Sequence, residues 1–295
     1  MMLRLKTILV PVDFSQRTEV EARHAADIAK RFESRLILAH VIPRFEDGYK
    51  PEDPEALEAY SHEFSAEVER GVQKALQSLA GRVGNGAEVE CVVLSGDPKE
   101  EIDKLVTAHQ TDLIVIPTTG RGRVERQLLG SMTASLLHDL KCPLLTGAHF
   151  PEVEPGETLY KNIACNIMHG EYGVEQLLWA RDFAAPYDAS LHVLCVLPFL
   201  DDVGAVASVP PPMRDKVMAD TKEQLHSLIE REGVKADVTV LGGPFDQLLA
   251  PFVQAQQVDL LVSGRQRQQD RVGVFGLHTD MLDTANCSPC PIVLV

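Results

Sequence analysis

The chain is short of positive charge and lacks any long apolar stretch. Lysine and arginine number 28 against 43 aspartate and glutamate residues, so the formal net charge of the 295 residues is −15. A protein that binds duplex nucleic acid or an anionic membrane surface needs a basic footprint, so this balance argues against both partners. No apolar run approaches the roughly 18 residues of a membrane-spanning helix, and no signal-peptide pattern precedes the first strand. We therefore expect a cytoplasmic protein.

Several catalytic signatures are also missing. The sequence has no Gly-x-x-x-x-Gly-Lys-Ser/Thr phosphate loop, no Ser-Gly-Gly loop after the first strand and no His-x-Gly-His motif. The six cysteines fit reduced, buried thiols, because several stand inside apolar runs. The pair Cys287-x-x-Cys290 has no second pair to complete a zinc or redox motif. We predict no metal site and no catalytic residues.

One pattern occurs twice in the chain, at first with an offset of 155 residues. The matching segments are Lys6–Asp13 with Lys161–Met168, Arg35–Pro43 with Ser190–Pro198, Gly96–Pro98 with Gly242–Pro244, Asp112–Leu113 with Asp259–Leu260, and Cys142–Pro143 with Cys290–Pro291. A repeat this long indicates two duplicated domains and not a solenoid. The predicted domains are residues 1–148 and 159–295, joined by a linker at 149–158 that carries proline and glycine.

Apolar strand patterns alternate with helical patterns in the first copy. Strands are predicted at 7–12, 35–41, 88–94, 113–116 and 143–147, and helices at 18–32, 54–82, 98–109 and 130–139. Strands that are apolar throughout and separated by helices indicate a parallel sheet covered on both faces. The predicted fold class is α/β, with two tandem doubly wound domains, each a five-stranded, mainly parallel sheet flanked by helices. Thr18 and Glu21 have the spacing of a capping box at the first helix.

The stretch from Pro117 to Ser131 follows the fourth predicted strand and is rich in glycine and arginine. Gly130 and Ser131 stand where the next helix should begin. Backbone N–H groups at a helix N-terminus favour anions, and glycines let the chain approach a phosphate closely. Arg121 and two further arginines would add positive charge. The alternative is an ordinary helix start in which Ser131 satisfies its own backbone and the arginines are solvated.

Two other residues stand at strand ends that should converge with this loop. Asp13 follows the first predicted strand and Val41 ends the second. Ligands on parallel sheets bind beyond the carboxyl ends of the strands, near the switch in strand order. Asp13 could accept a hydrogen bond from an amine or ribose hydroxyl, or it could cap the next helix. Val41 could present its backbone to a ligand or be simply part of the core.

These features resemble the universal stress protein family, in two copies that cover nearly the whole chain. The segments that carry the resemblance are Val10–Asp13, Ala39–Val41, Gly96–Pro98, Asp112–Val115 and Gly120, with Gly130–Ser131 after a further nine residues. Family members that bind ATP show Gly, two residues, Gly, nine residues, Gly, and then Ser or Thr. Pro117 stands where the first of these glycines should be. Proline removes one N–H donor and fixes φ, so it narrows the entry to the loop.

The resemblance implies a stress-response or signalling protein that binds ATP, with or without Mg²⁺, in its first domain. Asp13 and the backbone of Val41 would meet the nucleoside, and the glycines and Ser131 would hold the phosphates. The complete set of implied binding residues is Asp13, Val41, Pro117, Gly120, Arg121, Gly130, Ser131, Met132 and Thr133. The alternatives are an interaction protein that binds no nucleotide and a weak ATPase.

The second copy lacks the key residues. Met168 replaces Asp13 and Arg267 replaces Gly120, and no Gly-Ser pair follows at the expected place. Methionine cannot accept the hydrogen bond of an aspartate, so we predict no ATP in the second domain. Family members pair through their last strands, which implies that the two domains of this chain pair with each other. Homo-oligomers and a separate protein partner are left open.

Overall fold

The computed structural model describes residues 3–43, 54–84, 86–116, 142–147, 150–152, 158–167, 173–197, 209–265, 285 and 288–295, without the side chains of 16 and 54–65. The predicted binding residues Pro117, Gly120, Arg121, Gly130, Ser131, Met132 and Thr133 lie outside these ranges, as do the predicted helix 130–139, Met168 and Arg267. Asp13 and Val41 are described.

The first repeat forms a sheet around its first strand. Its strands are β1 (Thr7–Pro11), β2 (Arg35–Ile42), β3 (Glu88–Ser95), β4 (Leu113–Val115) and β5 (Leu144–Thr146). They lie in the order β3-β2-β1-β4-β5, and the pairings β1–β2, β2–β3 and β1–β4 are parallel. Ile8 aligns with Leu36 on one side and with Leu113 on the other. The strand order therefore switches between β1 and β4, which is where such sheets form a crevice.

Three helices of the first repeat are described. They are α1 (Gln16–Phe32), α2 (Pro54–Val83) and α3 (Pro98–His109). Pro98 stands in the first turn of α3, and the Asp97 carboxylate caps that helix by accepting the N–H groups of Lys99 and Glu100, each at 3.0 Å. The predicted bounds of α3 are confirmed because proline and a capping acid mark a helix start in the sequence itself.

The second repeat has the same architecture. Its strands are β6 (Asn162–Asn166), β7 (Ser190–Leu197), β8 (Asp237–Gly242), β9 (Leu260–Ser263) and β10 (Ile292–Leu294), in the order β10-β9-β6-β7-β8. Its described helices are α4 (Val174–Ala184) with a 3₁₀ turn at Ala185–Tyr187, α5 (Pro211–Arg231) and α6 (Phe245–Ala255). The pairings β6–β7, β7–β8, β6–β9 and β9–β10 are parallel. The predicted α/β fold of two doubly wound domains is confirmed.

Backbone hydrogen bonds show how the two repeats correspond. Glu33 follows α1 and Asp188 follows the 3₁₀ turn after α4, and both adopt the left-handed conformation, with φ of 54° and 51°. One predicted match is wrong by a residue. Gly96 donates its N–H to Ile42 O in the first repeat, and Gly243, not Gly242, donates to the equivalent Leu197 O. The shared Gly-x-Pro pattern misled because Pro98 lies inside its helix whereas Pro244 lies one position before the helix begins.

The chain divides into two compact units, one built mainly from the first repeat and the other mainly from the second. Each has an apolar core, and every residue of β1, β9 and β10 is buried. The boundaries at 148 and 159 stay a prediction. In the described ranges no helix is both long enough and apolar enough to cross a membrane.

Candidate functional site

The turn after β1 holds Asp13 in one position. Its Oδ1 atom accepts the backbone N–H of Ser15 at 2.9 Å and the hydroxyl of Thr18 at 2.6 Å. Between them Phe14 adopts the left-handed conformation, with φ of 56°, which costs a non-glycine residue about 1–2 kcal/mol. Asp13 therefore stabilises the entry to α1, as one of the two predicted roles requires, while its second role toward a ligand stays a prediction.

The predicted capping box between Thr18 and Glu21 is wrong. Helix α1 begins at Gln16, so both residues lie within the helix, and its N-cap residue Ser15 makes no side-chain capping bond. Asp13 instead holds the start of α1 from outside the helix, because its carboxylate accepts the Ser15 N–H and the Thr18 hydroxyl. The spacing of the sequence could not reveal this, since the helix starts two residues earlier than predicted and every capping position shifts with it.

His40 of β2 contacts the same turn. Its Nδ1 atom donates to the carbonyl oxygen of Val12 at 2.6 Å, and its ring centroid lies 4.9 Å from that of Phe14. The carbonyl can only accept, so Nδ1 carries the hydrogen in this contact. His40 is not among the predicted binding residues, and the structure shows that it positions the turn carrying Asp13.

The backbone of Val41 faces the open end of β1. In β2 the odd-numbered residues bond toward β1, since Arg35 donates to Lys6 O and Ala39 accepts from Val12 N–H. The even-numbered Ile42 accepts from Gly96 beyond β3. Val41 is odd-numbered, and β1 has ended at Pro11, so its N–H and C=O point to the edge where Asp13 stands. Its side chain is only 8% exposed and belongs to the core.

Glu21 is the residue at this edge that was not predicted. It is 1% exposed, and within the described residues its Oε2 atom has no hydrogen-bond partner. Burial raises the pKa of Glu21 well above the ordinary value, and the nearby Asp13 carboxylate raises it further, while Arg17 opposes this. A carboxyl group in these surroundings holds its proton more tightly than an exposed one.

The second repeat places an amide where the first has this acid. Gln176 is the counterpart of Glu21, and its amide nitrogen lies against Gly264, where a β-carbon would collide with it. Gly264 follows β9 as Pro117 follows β4, because Leu260 aligns with Ile163 as Leu113 aligns with Ile8. The side chain of Gln176 therefore lies against the first residue after β9. The equivalent residue of the first repeat, Pro117, is the first residue of the predicted phosphate loop.

Comparison with known proteins identifies the architecture. The sequence profile of the universal stress protein family matches residues 4–146 and again residues 160–295. The chain belongs to this family. A universal stress protein of Methanocaldococcus jannaschii is 29% identical over 142 residues, which are 48% of this chain and 80% of that protein.

Solved structures extend the likeness of this universal stress protein to both repeats at once. A universal stress protein of Archaeoglobus fulgidus matches with a TM-score of 0.68 and 19% identity, covering 99% of this chain and 96% of that one. A functionally unknown protein of Pseudomonas aeruginosa matches with a TM-score of 0.61 and 16% identity, covering 99% and 92%. At these identities the structures show the shared fold alone.

Three buried cysteines of this universal stress protein are poor nucleophiles. Burial raises the pKa of Cys195 and of Cys290 to about 11, and it raises the pKa of Cys165 even more. Thiols with such pKa values stay protonated at neutral pH. Cys287, the other half of the Cys-x-x-Cys pair, lies outside the described residues. Within the ranges that are described, no group of three or more His, Cys, Asp or Glu residues could hold a metal ion.

Proposed function

We propose that the first repeat binds one adenine nucleotide, with ATP as the expected ligand, and that partners or conformational changes read out its occupancy in a stress response. The observation that carries this proposal is the meeting of two groups at the switch in strand order. The Asp13 carboxylate follows β1, and the backbone N–H and C=O of Val41 face the same edge. A carboxylate beside a backbone donor and acceptor suits a nucleoside, whose ribose and base carry complementary groups.

The loop from Pro117 to Thr133 supplies the phosphate end of the proposed site. It leaves β4, the neighbour of β1, so it starts at the same edge of the sheet as Asp13. Its arginines are local positive charge in a chain with a formal net charge of −15, which would otherwise repel a polyphosphate. Mg²⁺ would accompany the phosphates if ATP binds as its magnesium complex.

The second repeat is proposed to bind no ATP. Methionine stands at the position of Asp13, and the Gln176 side chain lies over Gly264 at the strand exit. The competing proposal is an interaction protein whose first repeat is also empty. Pro117 favours it, because a proline cannot donate the N–H or adopt the positive φ available to glycine.

Binding of labelled ATP to the full chain tests the proposal. We expect saturable binding of one ATP per chain, loss of binding in Gly130→Asp, and unchanged binding in the matched variant Gly276→Asp of the second repeat. An aspartate at Gly130 would place a negative charge where phosphate is proposed to bind. No saturable binding by the unaltered chain would favour the interaction protein, and two ATP per chain would contradict the proposed difference between repeats.

Pairing of the two repeats within one chain is a separate proposal. It is supported by the duplicated architecture and by the edge-prone segments at Pro143–Leu145 and Pro291–Val295. We expect a fragment of residues 1–148 to self-associate in sedimentation experiments because it would lack its partner repeat. A stable monomer of this fragment would count against the pairing.

A further inference from the structure

The inner face of α1 carries a polar stripe near the proposed crevice. Thr18, Glu21 and His24 follow one another at a spacing of three residues, and each is no more than 2% exposed. Thr18 is bound to Asp13, so the stripe starts at the candidate site itself. Burying an ionised carboxyl without a partner is costly, which favours the neutral form of Glu21.

The charged groups around Glu21 are few in the described part of the chain. Asp13 faces it from the turn after β1, Arg17 lies one turn earlier on α1, and His24 lies one turn later. From α2, Arg82 contacts Glu19 at 3.0 Å on the exposed side of α1. The strands under α1 contribute buried aliphatic residues, such as those of β4. Asp13 is therefore the charge that couples most directly to Glu21 and that favours its protonation.

The second repeat shows which residue the side chain equivalent to Glu21 contacts. Gln176 reaches Gly264, the first residue beyond β9. The equivalent place in the first repeat is Pro117, where the arginine-bearing loop begins. Glu21 thus lies beside Asp13, the proposed nucleoside contact, and its equivalent in the second repeat contacts the residue that follows β9.

We propose that Glu21 is a specificity-determining residue of the first repeat, whose neutral carboxyl admits a polyphosphate and whose ionised carboxylate excludes it. This inference rests on the proposed nucleotide site. Binding of ATP to the ionised form would be accompanied by uptake of one proton from water onto the Glu21 carboxylate. The effect depends on ligand charge, so uncharged adenosine should not show it.

The test compares the pH dependence of ATP and adenosine binding in the full chain, between pH 5.5 and pH 9, for the unaltered protein, Glu21→Gln and Glu69→Gln. Glutamine suits this position because the second repeat has Gln176 there. Glu69 is an exposed acid on α2, so its variant controls for the loss of one charge. Titration of ATP itself is common to all three proteins and cancels in the comparison.

We expect ATP affinity of the unaltered chain and of Glu69→Gln to fall with rising pH by at least about tenfold more than that of Glu21→Gln. Adenosine affinity should show no such difference. Parallel ATP profiles for the unaltered chain and Glu21→Gln would overturn the inference.

A second measurement separates this inference from the proposed function. Because the pKa of Glu21 is raised in the folded protein, its contribution to stability is fully present below the unfolded pKa and is lost as pH rises through the folded pKa. The urea midpoint of Glu21→Gln, without ligand, should then fall less with pH than that of the unaltered chain. If the urea midpoints differ in this way but none of the three proteins binds ATP, the proposed nucleotide site is contradicted, whereas the protonated state of Glu21 is supported. If the midpoints run in parallel, the neutral acid itself is overturned.

Discussion

The helix that follows the first strand has a polar inner face in one repeat and an aromatic one in the other. On α1 the buried residues include Glu21 and His24, whereas the equivalent positions on α4 hold Gln176 and Trp179. The Trp179 ring lies 4.9 Å from that of Phe183 at an interplanar angle of 12°, and Tyr187 continues the stack. The same helix therefore buries an acid and an imidazole in the first repeat and an aromatic stack in the second.

This difference in buried side chains shows that the two repeats can keep the same fold while the chemistry of their side chains changes. The hydrogen bond from Val12 N–H to Ala39 O recurs as the bond from Ile167 N–H to Leu194 O, at 2.7 and 2.8 Å. A residue in the left-handed conformation follows α1 in the first repeat and the 3₁₀ turn after α4 in the second. The side chains on this shared frame therefore differ between the repeats, and on widely used folds it is such side chains that determine function.

The largest expected effect tests the aromatic core of the second repeat. Phe183→Ala should lower the free energy of unfolding by about 3–5 kcal/mol, because a fully buried ring and its stacking partners are lost. Trp179 is the only tryptophan of the chain, so its fluorescence during urea denaturation reports this repeat. Met213→Ala, at a side chain 61% exposed, should change stability by no more than about 0.5 kcal/mol. Similar losses for both variants would show that the stack is not a stability core.

A second prediction concerns a feature that the repeats share. Asp112 accepts the N–H groups of Lys6 and Thr7, and Asp259 accepts those of Lys161 and Asn162, at 2.7–3.0 Å. Asp112→Ala and Asp259→Ala should each cost about 1–3 kcal/mol, since charge-assisted bonds to two backbone donors are lost.

Urea denaturation followed by far-UV circular dichroism measures both losses. The Asp→Asn variants, which keep one acceptor oxygen, should cost less. A difference between the two sites well above 0.5 kcal/mol, as a rough threshold for additivity, would break the equivalence of the repeats here.

A third prediction converts the second repeat to the acid of the first. Gln176→Glu should cost about 1–3 kcal/mol more at pH 8 than at pH 5, because a partly buried carboxyl must stay protonated or be ionised without a partner. Its folded pKa would be raised, so stability is retained below the unfolded pKa and lost as pH rises through the folded pKa. Trp179 fluorescence gives the midpoint. Glu175→Gln, at an exposed neighbour, is the control and should show little pH dependence of its effect. A pH-independent cost for Gln176→Glu would contradict this.

The smallest expected effect compares two helix starts. Asp97 caps α3 with two hydrogen bonds, whereas Pro244 at the start of α6 makes no side-chain cap. Asp97→Ala should cost about 1 kcal/mol, and Pro244→Asp should be neutral or stabilising by up to about 1 kcal/mol. Thermal unfolding of both variants measures this. A clear destabilisation by Pro244→Asp would mean that the proline ring itself is needed at that turn.

Much of the fold could be predicted because its signals are local. The helix at 98–109 and the strand at 88–94 agree with α3 and β3 to within a residue, since Pro98 and apolar runs mark them. The failures have a different origin. The capping box was wrong because α1 begins at Gln16, ahead of Thr18, and Gly243 was missed because a strand in the second repeat ends one residue later relative to its proline.

The candidate site was predicted only in part. Asp13 and Val41 stand at strand ends, and the sequence alone could place them there. The sequence could not predict that Glu21 is buried. Near the start of a helix, the position of its first residue decides which side chains face the sheet and which face water. Nor could the sequence show that the Val41 backbone faces β1, since this follows from the pairing register.

By itself the sequence determined the duplication, the α/β architecture, the family and the different residues of the two repeats at the predicted binding positions. These features follow from periodicity, spacing and residue identity. Only the tertiary structure decided that Asp13 is held by Ser15 and Thr18, that Glu21 is buried beside it, and that Gln176 covers Gly264. These contacts join segments whose meeting depends on strand register and helix packing. The chemistry of a buried carboxyl is set by those neighbours and not by its own place in the chain.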